Sequence, residues 1–196
     1  MKKIVYLFFL IVIVTISCNK STDPVTPMQS SEIVPLKNTI FWQFSVYKYD
    51  ASGNINYASI TYRMIISQGS SGSNTVYKIK DSSDYDCSKT YFNCYNSTGG
   101  FYSTSSDKDN SYQLKYKYPG NIGDTYNYKG FKMTLTAIDV LLTVSSGSFK
   151  CNQYSGYNSQ TGESFVYFVS PGTGEIKIEY IKNGTLSTVW ELMKYK

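Results

Sequence analysis

Hydrophobic and polar residues alternate with a period of two along most of the chain from Pro35 to Lys196. The segment Ile40 to Tyr49 shows the pattern clearly, because Trp42, Phe44 and Val46 fall on one face of a strand and polar residues separate them. No window of twelve residues carries the 3.6-residue stripe of an amphipathic helix. The pattern predicts an all-β domain in which short strands follow each other along the chain.

Turn-forming clusters of Gly, Ser, Asn and Asp separate the alternating segments. They delimit about ten strands, within residues 40–49, 55–66, 75–80, 89–95, 101–104, 112–118, 126–137, 141–154, 164–169, 175–181 and 187–195. Strands joined by short turns indicate a single antiparallel meander, folded as a curved sheet or half-barrel, and a β-sandwich is the alternative. A short helix at Ile138-Asp139-Val140 is also considered, although no capping residue supports it.

The first eighteen residues have the layout of a bacterial export signal. Two lysines precede an apolar run from Ile4 to Ile16, and this run is shorter than the stretch of about 20 residues that spans a bilayer. The segment Thr15-Ile16-Ser17-Cys18 resembles the lipobox of bacterial lipoproteins, in which the cysteine is acylated and begins the mature chain. The resemblance implies lipidation of Cys18. A transmembrane anchor or an ordinary secreted protein is the alternative.

These features divide the chain into three parts. Residues 1–17 are the expected signal peptide, residues 18–34 a flexible tether that follows the lipidated Cys18, and residues 35–196 a single β domain. The tether is rich in Ser, Thr and Pro. Asn19 stands where an aspartate resembles the inner-membrane retention signal of enteric lipoproteins, so we expect a lipid anchor in the bacterial outer membrane, facing the periplasm or the cell surface.

The composition excludes several classes of function. The chain contains no histidine, which rules out histidine-based triads and histidine-ligated zinc. Removal of residues 1–17 leaves 17 basic against 14 acidic groups, and Arg63 is the only arginine. Because arginine dominates base and phosphate recognition, nucleic acid is not an expected partner. We expect no cofactor.

Acidic residues cluster in two loops, at Asp81, Asp84 and Asp86 and again at Asp107 and Asp109. Calcium prefers several carboxylates in one loop, but the glycine and distal glutamate of an EF-hand are absent from the sequence. We therefore interpret both clusters as solvated loops and expect no metal, with a calcium site as the alternative.

Catalytic groups are scarce in the sequence. Glu163 and Glu191 are two of five glutamates, and no motif brings them together as the paired carboxylates of a glycosidase. Cys151 has no histidine to activate its thiol. An enzyme is therefore not expected.

Three cysteines remain after Cys18. Cys87 and Cys94 enclose six residues, which makes them the disulfide candidates in an oxidising compartment. A bridge from Cys151 to one of them, or three reduced thiols, are the alternatives.

Four segments resemble those of uncharacterised β-rich lipoproteins from Bacteroidota. They are Pro35-Leu36-Lys37 with Trp42, the segment Tyr118 to Tyr126, the strand Val144 to Tyr154, and the hairpin Tyr167 to Lys177 with its "PGTGEIK" turn. The resemblance implies one curved antiparallel sheet, similar to periplasmic lipoprotein carriers, and no known activity. In the closing hairpin, Gly172 and Gly174 are expected to supply positive φ.

Two functional hypotheses follow. The preferred one is a non-enzymatic envelope lipoprotein whose curved sheet binds an apolar ligand or an envelope protein, because a concave apolar face without a helix to cover it needs another cover. The alternative is a surface glycan-binding β-sandwich in which Trp42 and Trp190 stack on sugar rings. The sequence does not identify the ligand-binding residues.

Overall fold

The computed structural model describes residues 31–84 and 86–196, which form twelve β-strands. The strands are β1 Phe41–Tyr49, β2 Ile55–Ser71, β3 Asn74–Ser83, β4 Lys89–Ser97, β5 Gly100–Ser103, β6 Gln113–Lys117, β7 Thr125–Tyr128, β8 Phe131–Val144, β9 Gly147–Tyr157, β10 Ser164–Ser170, β11 Gly174–Lys182 and β12 Thr185–Tyr195. Among these residues, no helix is long and apolar enough to cross a membrane. The expected signal peptide and Cys18 lie outside the described residues.

The strands form one antiparallel sheet in the order β6-β5-β4-β3-β2-β1-β12-β11-β10-β9-β8-β7. The predicted all-β meander is therefore confirmed, with twelve strands instead of about ten. The sheet curls until its edge strands β6 and β7 meet. Tyr126 on β7 donates to the carbonyl oxygen of Lys115 at 2.8 Å, and Tyr154 on β9 donates to that of Lys117 at 2.9 Å. The result is a nearly closed barrel whose seam is joined by side chains.

Two turns lie where the sequence predicts continuous strand. Lys129 and Gly130, with φ of 50° and 80°, form a two-residue turn between β7 and β8, and Ser145-Ser146 join β8 to β9. Successive positive φ values are what a tight hairpin requires. The proposed short helix at 138–140 is wrong, because Asp139 with φ of 58° lies at a bulge inside β8.

Because neighbouring strands run antiparallel, the turns alternate between two ends of the barrel. We call the end that carries the β3–β4, β5–β6, β7–β8, β9–β10 and β11–β12 turns the upper end. By the same alternation the β1–β2 turn also lies at the upper end. The lower end carries the remaining turns, together with both ends of the described chain.

The N-terminal segment closes the lower end. Ile33 is 1% exposed, and Val34 and Leu36 are buried beside it in the core. The carbonyl oxygen of Glu32 accepts from the amide of Gly172 at 2.9 Å, and that of Val34 accepts from Asn96 Nδ2 at 2.7 Å. The packed domain thus begins at Ile33, two residues before its predicted start at Pro35.

The lower half of the barrel is filled by a dense apolar core. Trp42, Phe44, Ile79 and Ile176 are all buried there. The indole nitrogen of Trp42 donates to the carbonyl oxygen of Thr173 at 2.8 Å in the β10–β11 turn. That turn has the predicted positive φ, 78° at Gly172 and 95° at Gly174. The core leaves the upper half of the barrel as the place for a site.

Candidate ligand-binding cavity

A cavity of about 610 Å³ occupies the upper half of the barrel. Its rim includes residues at or beside four of the upper turns, namely Ser105, Lys129, Glu163 and Lys182. A site of this volume lies in the middle of the range of about 300–1,000 Å³ that is usual for small-molecule pockets. The meander thus folds into a cup, closed below by the core and the N-terminal segment and open above.

Aromatic side chains form much of the cavity wall. They come from strands on both sides of the seam and include Phe92, Tyr128, Phe131, Phe165, Tyr167 and Tyr180. Phe165 contacts both Phe131 and Tyr167 at ring-centroid distances of 4.6 Å. The Tyr128 hydroxyl is 3.0 Å from the Ser103 hydroxyl, which places a polar group within this wall. Such a wall offers apolar contact together with a few fixed hydrogen-bonding groups.

An ion pair lies on the floor of the cavity. Arg63 on β2 and Asp81 on β3 are directly opposite in the antiparallel ladder, and their side chains form a two-pronged contact. The Nε and Nη2 atoms of Arg63 donate to the two carboxylate oxygens of Asp81, each at 2.8 Å. The guanidinium also lies 5.6 Å from the ring of Phe44 and 5.5 Å from that of Phe92. Packing on both sides therefore fixes its orientation.

A second ion pair joins the first beneath the floor. Lys115 on β6 donates to Oε1 of Glu175 on β11 at 2.6 Å, and the two residues are 7% and 5% exposed. The hydroxyl of Tyr116 donates to the same Oε1, and Arg63 donates to Oε2. Glu175 therefore connects three donors, and all the charges of this network are paired.

β-Bulges place two of these side chains in the interior. In β6, Phe101 faces Tyr116 and Tyr102 faces Leu114, so Lys115 is an extra residue in the strand. In β11 the register shifts between Glu175 and Lys177 in the same way. A bulge turns two successive side chains towards one face. Lys115 and Tyr116, like Glu175 and Ile176, are accordingly both buried.

The network fixes the protonation of its members. Burial disfavours the charged form of Glu175, but Arg63 and Lys115 outweigh this effect and hold the pKa of Glu175 well below its usual range. Burial also opposes the charge on Lys115, and Glu175 nevertheless raises the pKa of Lys115. Burial, reinforced by Glu175, raises the pKa of Tyr116. At neutral pH Lys115 and Glu175 are thus both charged, and the Tyr116 phenol beside them is neutral.

The structure separates the acidic residues singled out in the sequence. Of these, Asp81 is on the cavity floor, whereas Asp84 accepts from the amide of Ile60 and Asp107 pairs with Lys78 at 2.7 Å. Asp86 and Asp109 accept from nearby backbone amides. Within residues 31–84 and 86–196, no three metal-ligating side chains of His, Cys, Asp or Glu are grouped to hold an ion.

The two glutamates considered as a catalytic pair lie in different surroundings. Glu163 is on the cavity rim, where its carboxylate lies 4.0 Å from Lys182 Nζ. Glu191 on β12 is one of the partners of Lys177, at 3.4 Å. Glu191 is not among the residues that line the cavity.

Cys87 and Cys94 are free thiols in the structure, so the expected disulfide is not formed. Cys87 is exposed in the β3–β4 turn, whereas Cys94 is buried in β4 and its thiol donates to the carbonyl oxygen of Tyr77. Cys94 lies five residues beyond the start of β4, about 16 Å along the strand at 3.3 Å per residue. A disulfide requires Cα atoms within about 7 Å. Cys151 is also free and buried.

The two tryptophans belong to the packed interior. Trp42 is 2% exposed, and Trp190 is half-buried against the core, where its ring contacts Phe44 at a centroid distance of 5.9 Å. Trp42 is therefore not available to stack on a sugar ring, as the glycan-binding hypothesis requires.

Comparison with known proteins identifies the fold but not a family. No protein-family model and no curated protein matches the chain. Among solved structures, it is similar to a protein from Bacteroides fragilis that is described as exported and as having a YmcC-like fold. The identity is 15% over 83% of this chain and 98% of that one, with a TM-score of 0.56. It is also similar to a protein from Parabacteroides distasonis that is described as a lipoprotein, with 14% identity over 86% and 100% of the two chains and a TM-score of 0.58.

Proposed function

We propose that this protein is a non-enzymatic lipoprotein of the bacterial envelope that binds a small amphipathic molecule in its cavity. Its anchor is the acylated Cys18 in the outer membrane. The lipobox-like segment Thr15-Ile16-Ser17-Cys18 supports the anchor. The fold adds support, because the similar proteins from Bacteroides and Parabacteroides are described as exported and as a lipoprotein.

The cavity is the observation that carries the proposal. It combines a volume of about 610 Å³, an open upper end, an aromatic wall and a floor of buried ions. A wall of rings favours an apolar body, and convergent polar groups favour a polar end on the same molecule. This combination supports an amphipathic ligand rather than the wholly apolar one that the sequence suggests.

The state of the buried charges supports binding over catalysis. A lysine nucleophile must lose its proton and a carboxylic acid catalyst must hold one at working pH. The raised pKa of Lys115 and the lowered pKa of Glu175 work against both roles. The two side chains instead neutralise each other inside the barrel.

Native mass spectrometry tests the proposal on residues 19–196, which contain every described strand and contact. We expect the gently purified protein to carry an additional mass that is released on unfolding. The variant Thr90→Trp should lose it, because Thr90 lines the cavity and an indole there fills its space. The matched control Thr75→Trp, at an exposed position of β3 outside the cavity, should retain it. Retention of the mass by Thr90→Trp would contradict binding in the cavity.

A further inference from the structure

Hydrogen-bond donors on the cavity floor outnumber their acceptors. An ammonium group has three N–H donors and a guanidinium has five. Among the residues that the structure describes, Lys115 Nζ donates to Glu175, and Arg63 makes three hydrogen bonds, two to Asp81 and one to Glu175. Two N–H groups of each cation are thus left over at the cavity floor. A buried N–H group without an acceptor costs free energy, so a ligand that supplies acceptor atoms here is favoured.

Charge, in contrast, is already balanced there. Arg63 and Lys115 carry two positive charges, and Asp81 and Glu175 carry two negative charges. A carboxylate or an ammonium placed on this floor would bring an uncompensated charge into a site of low dielectric constant. Neutral oxygen atoms, as in an ester or a hydroxyl, satisfy the spare donors without adding charge.

The wall between the cavity floor and the rim is aromatic and of small height. The ring of Tyr167 lies 5.1 Å from Lys115 Nζ, and Ser164 at the rim is three residues away on β10. At about 3.3 Å per residue, this part of the wall is about 10 Å high. Phe165 and Phe131 lie within it. This height suits a medium-length apolar chain.

Resting on the function proposed for this cavity, we propose that its ligand is a single-chain amphiphile with an uncharged, oxygen-rich head group, bound head first. The head-group oxygens accept hydrogen bonds from Lys115 and Arg63, and the chain lies along the aromatic wall towards the mouth. The class includes monoacylglycerols and similar neutral esters.

Three probes with a ten-carbon chain test the head group on residues 19–196. They are the neutral 1-monodecanoylglycerol, the anionic decanoate and the cationic decyltrimethylammonium, each titrated below its micelle concentration by isothermal calorimetry. We expect the neutral probe to bind about tenfold tighter than either charged probe, because hydrogen bonds to charged donors favour it and desolvation penalises the others.

A charge-balanced double variant tests where the head group lies. Lys115→Met with Glu175→Gln removes the donor and its partner together, so no charge is left unpaired, and we expect the neutral probe to lose about tenfold in affinity. The matched control is Lys177→Met with Glu179→Gln, a 3.0 Å ion pair on β11 outside the cavity, which should bind like the wild type. Thermal unfolding verifies that both variants are folded. If the Lys115/Glu175 variant does not fold, Tyr128→Phe, which removes another polar group of the cavity, replaces it and should weaken binding of the neutral probe.

The outcomes separate the two proposals. If decanoate or the cation binds as tightly as the neutral probe, or if the folded variant keeps its affinity, the head-group assignment is wrong and the binding function stands. If no probe binds and the purified protein carries no additional mass, both proposals are wrong.

Discussion

The ammonium of Lys115 lies 2.6 Å from the carboxylate of Glu175, although the two residues are 60 positions apart in the chain and lie on strands β6 and β11. The contact crosses the inside of the barrel, from one edge strand to a strand deep in the sheet. The contact therefore depends on the closed shape of the barrel as well as forming part of the structure beneath the cavity.

Breaking this pair should be costly. Glu175→Gln leaves the ammonium of Lys115 without its counter-ion, and Lys115→Met leaves the carboxylate with Arg63 alone. We expect each change to lower the free energy of unfolding by about 3–5 kcal/mol, as found for buried ion pairs that lose one partner. Urea unfolding at pH 7 measures the loss. Lys177→Met, which affects a half-exposed ion pair, should cost only about 0–1 kcal/mol.

The double variant Lys115→Met/Glu175→Gln should be more stable than the sum of the single changes indicates. The double variant leaves no buried charge without a partner, so its loss of stability does not include the free-energy cost of an unpaired charge. If the two losses are additive in urea unfolding, the side chains are not coupled and the contact has no energetic role.

Stability should have an acidic limit set by Glu175. Because its pKa in the folded protein is depressed, the unfolded chain takes up the proton first as the pH falls. The stabilisation is complete above the ordinary glutamate pKa near 4.5 and is lost as the pH falls from there towards the lower pKa of the folded state. Urea unfolding between pH 7 and pH 2 should show this decline, and Glu175→Gln should decline less steeply. Parallel curves for the two proteins would contradict the assignment.

An alkaline limit should arise from the other members of the network. The pKa of Lys115 is raised in the folded protein, so its contribution is present below its ordinary pKa near 10.5 and is lost above it. The buried Tyr116 acts in the same direction, because its phenol ionises more readily when the chain unfolds. Thermal unfolding temperatures should therefore fall as the pH rises from about 10 towards 12, and Lys115→Met should reduce the fall.

Thiol labelling should distinguish the three cysteines of residues 19–196. Cys87 is exposed and should react with a maleimide in the native protein. Burial raises the pKa of Cys94 and raises that of Cys151 to about 12, so both thiols should react only after unfolding. Mass spectrometry should find one label in the native state, and none in Cys87→Ser. Native protein without a reactive thiol would instead indicate the disulfide between Cys87 and Cys94.

Alanine substitutions at two glycines, Gly100 and Gly53, test the close contact between β5 and β6. A Cβ atom on Gly100, whose φ is 134°, would lie 2.0 Å from the carbonyl oxygen of Tyr116. Gly53 has a φ of 81° and no atom within 4 Å of the same position. Gly53→Ala should therefore cost about 1–2 kcal/mol from backbone strain alone. Gly100→Ala should cost more than twice that in urea unfolding, and equal losses would contradict the close contact.

The fold followed from the sequence because its pattern is local. Alternation along β1 identifies Trp42, Phe44 and Val46 as an inner face, and all three are buried. The turns at Lys129-Gly130 and Ser145-Ser146 were harder to locate, since the apolar pattern continues across them. The bulge at Asp139 interrupts the alternation, which is why a short helix was considered there.

The cavity floor was missed because its residues become neighbours only through strand register. The alternation of polar and apolar residues does not predict that Lys115 and Glu175 are buried. The β-bulges that turn these two side chains inwards cannot be recognised from that alternation. Asp81 was noted only as a loop acid. One usable signal was Arg63, the only arginine, which stands next to the apolar segment Met64-Ile65-Ile66.

Two of the many tyrosines cover the backbone of edge strand β6 at the seam between β6 and β7. Strand edges with unpaired backbone groups act as templates on which other chains add strands and aggregate. Along β6, the hydroxyl of Tyr126 accepts from the amide of Lys117 and donates to the carbonyl of Lys115, and Tyr154 donates to the carbonyl of Lys117. Two phenols thus occupy backbone groups that a neighbouring molecule would otherwise use. We therefore expect these two side chains to hinder the addition of a further strand at this edge.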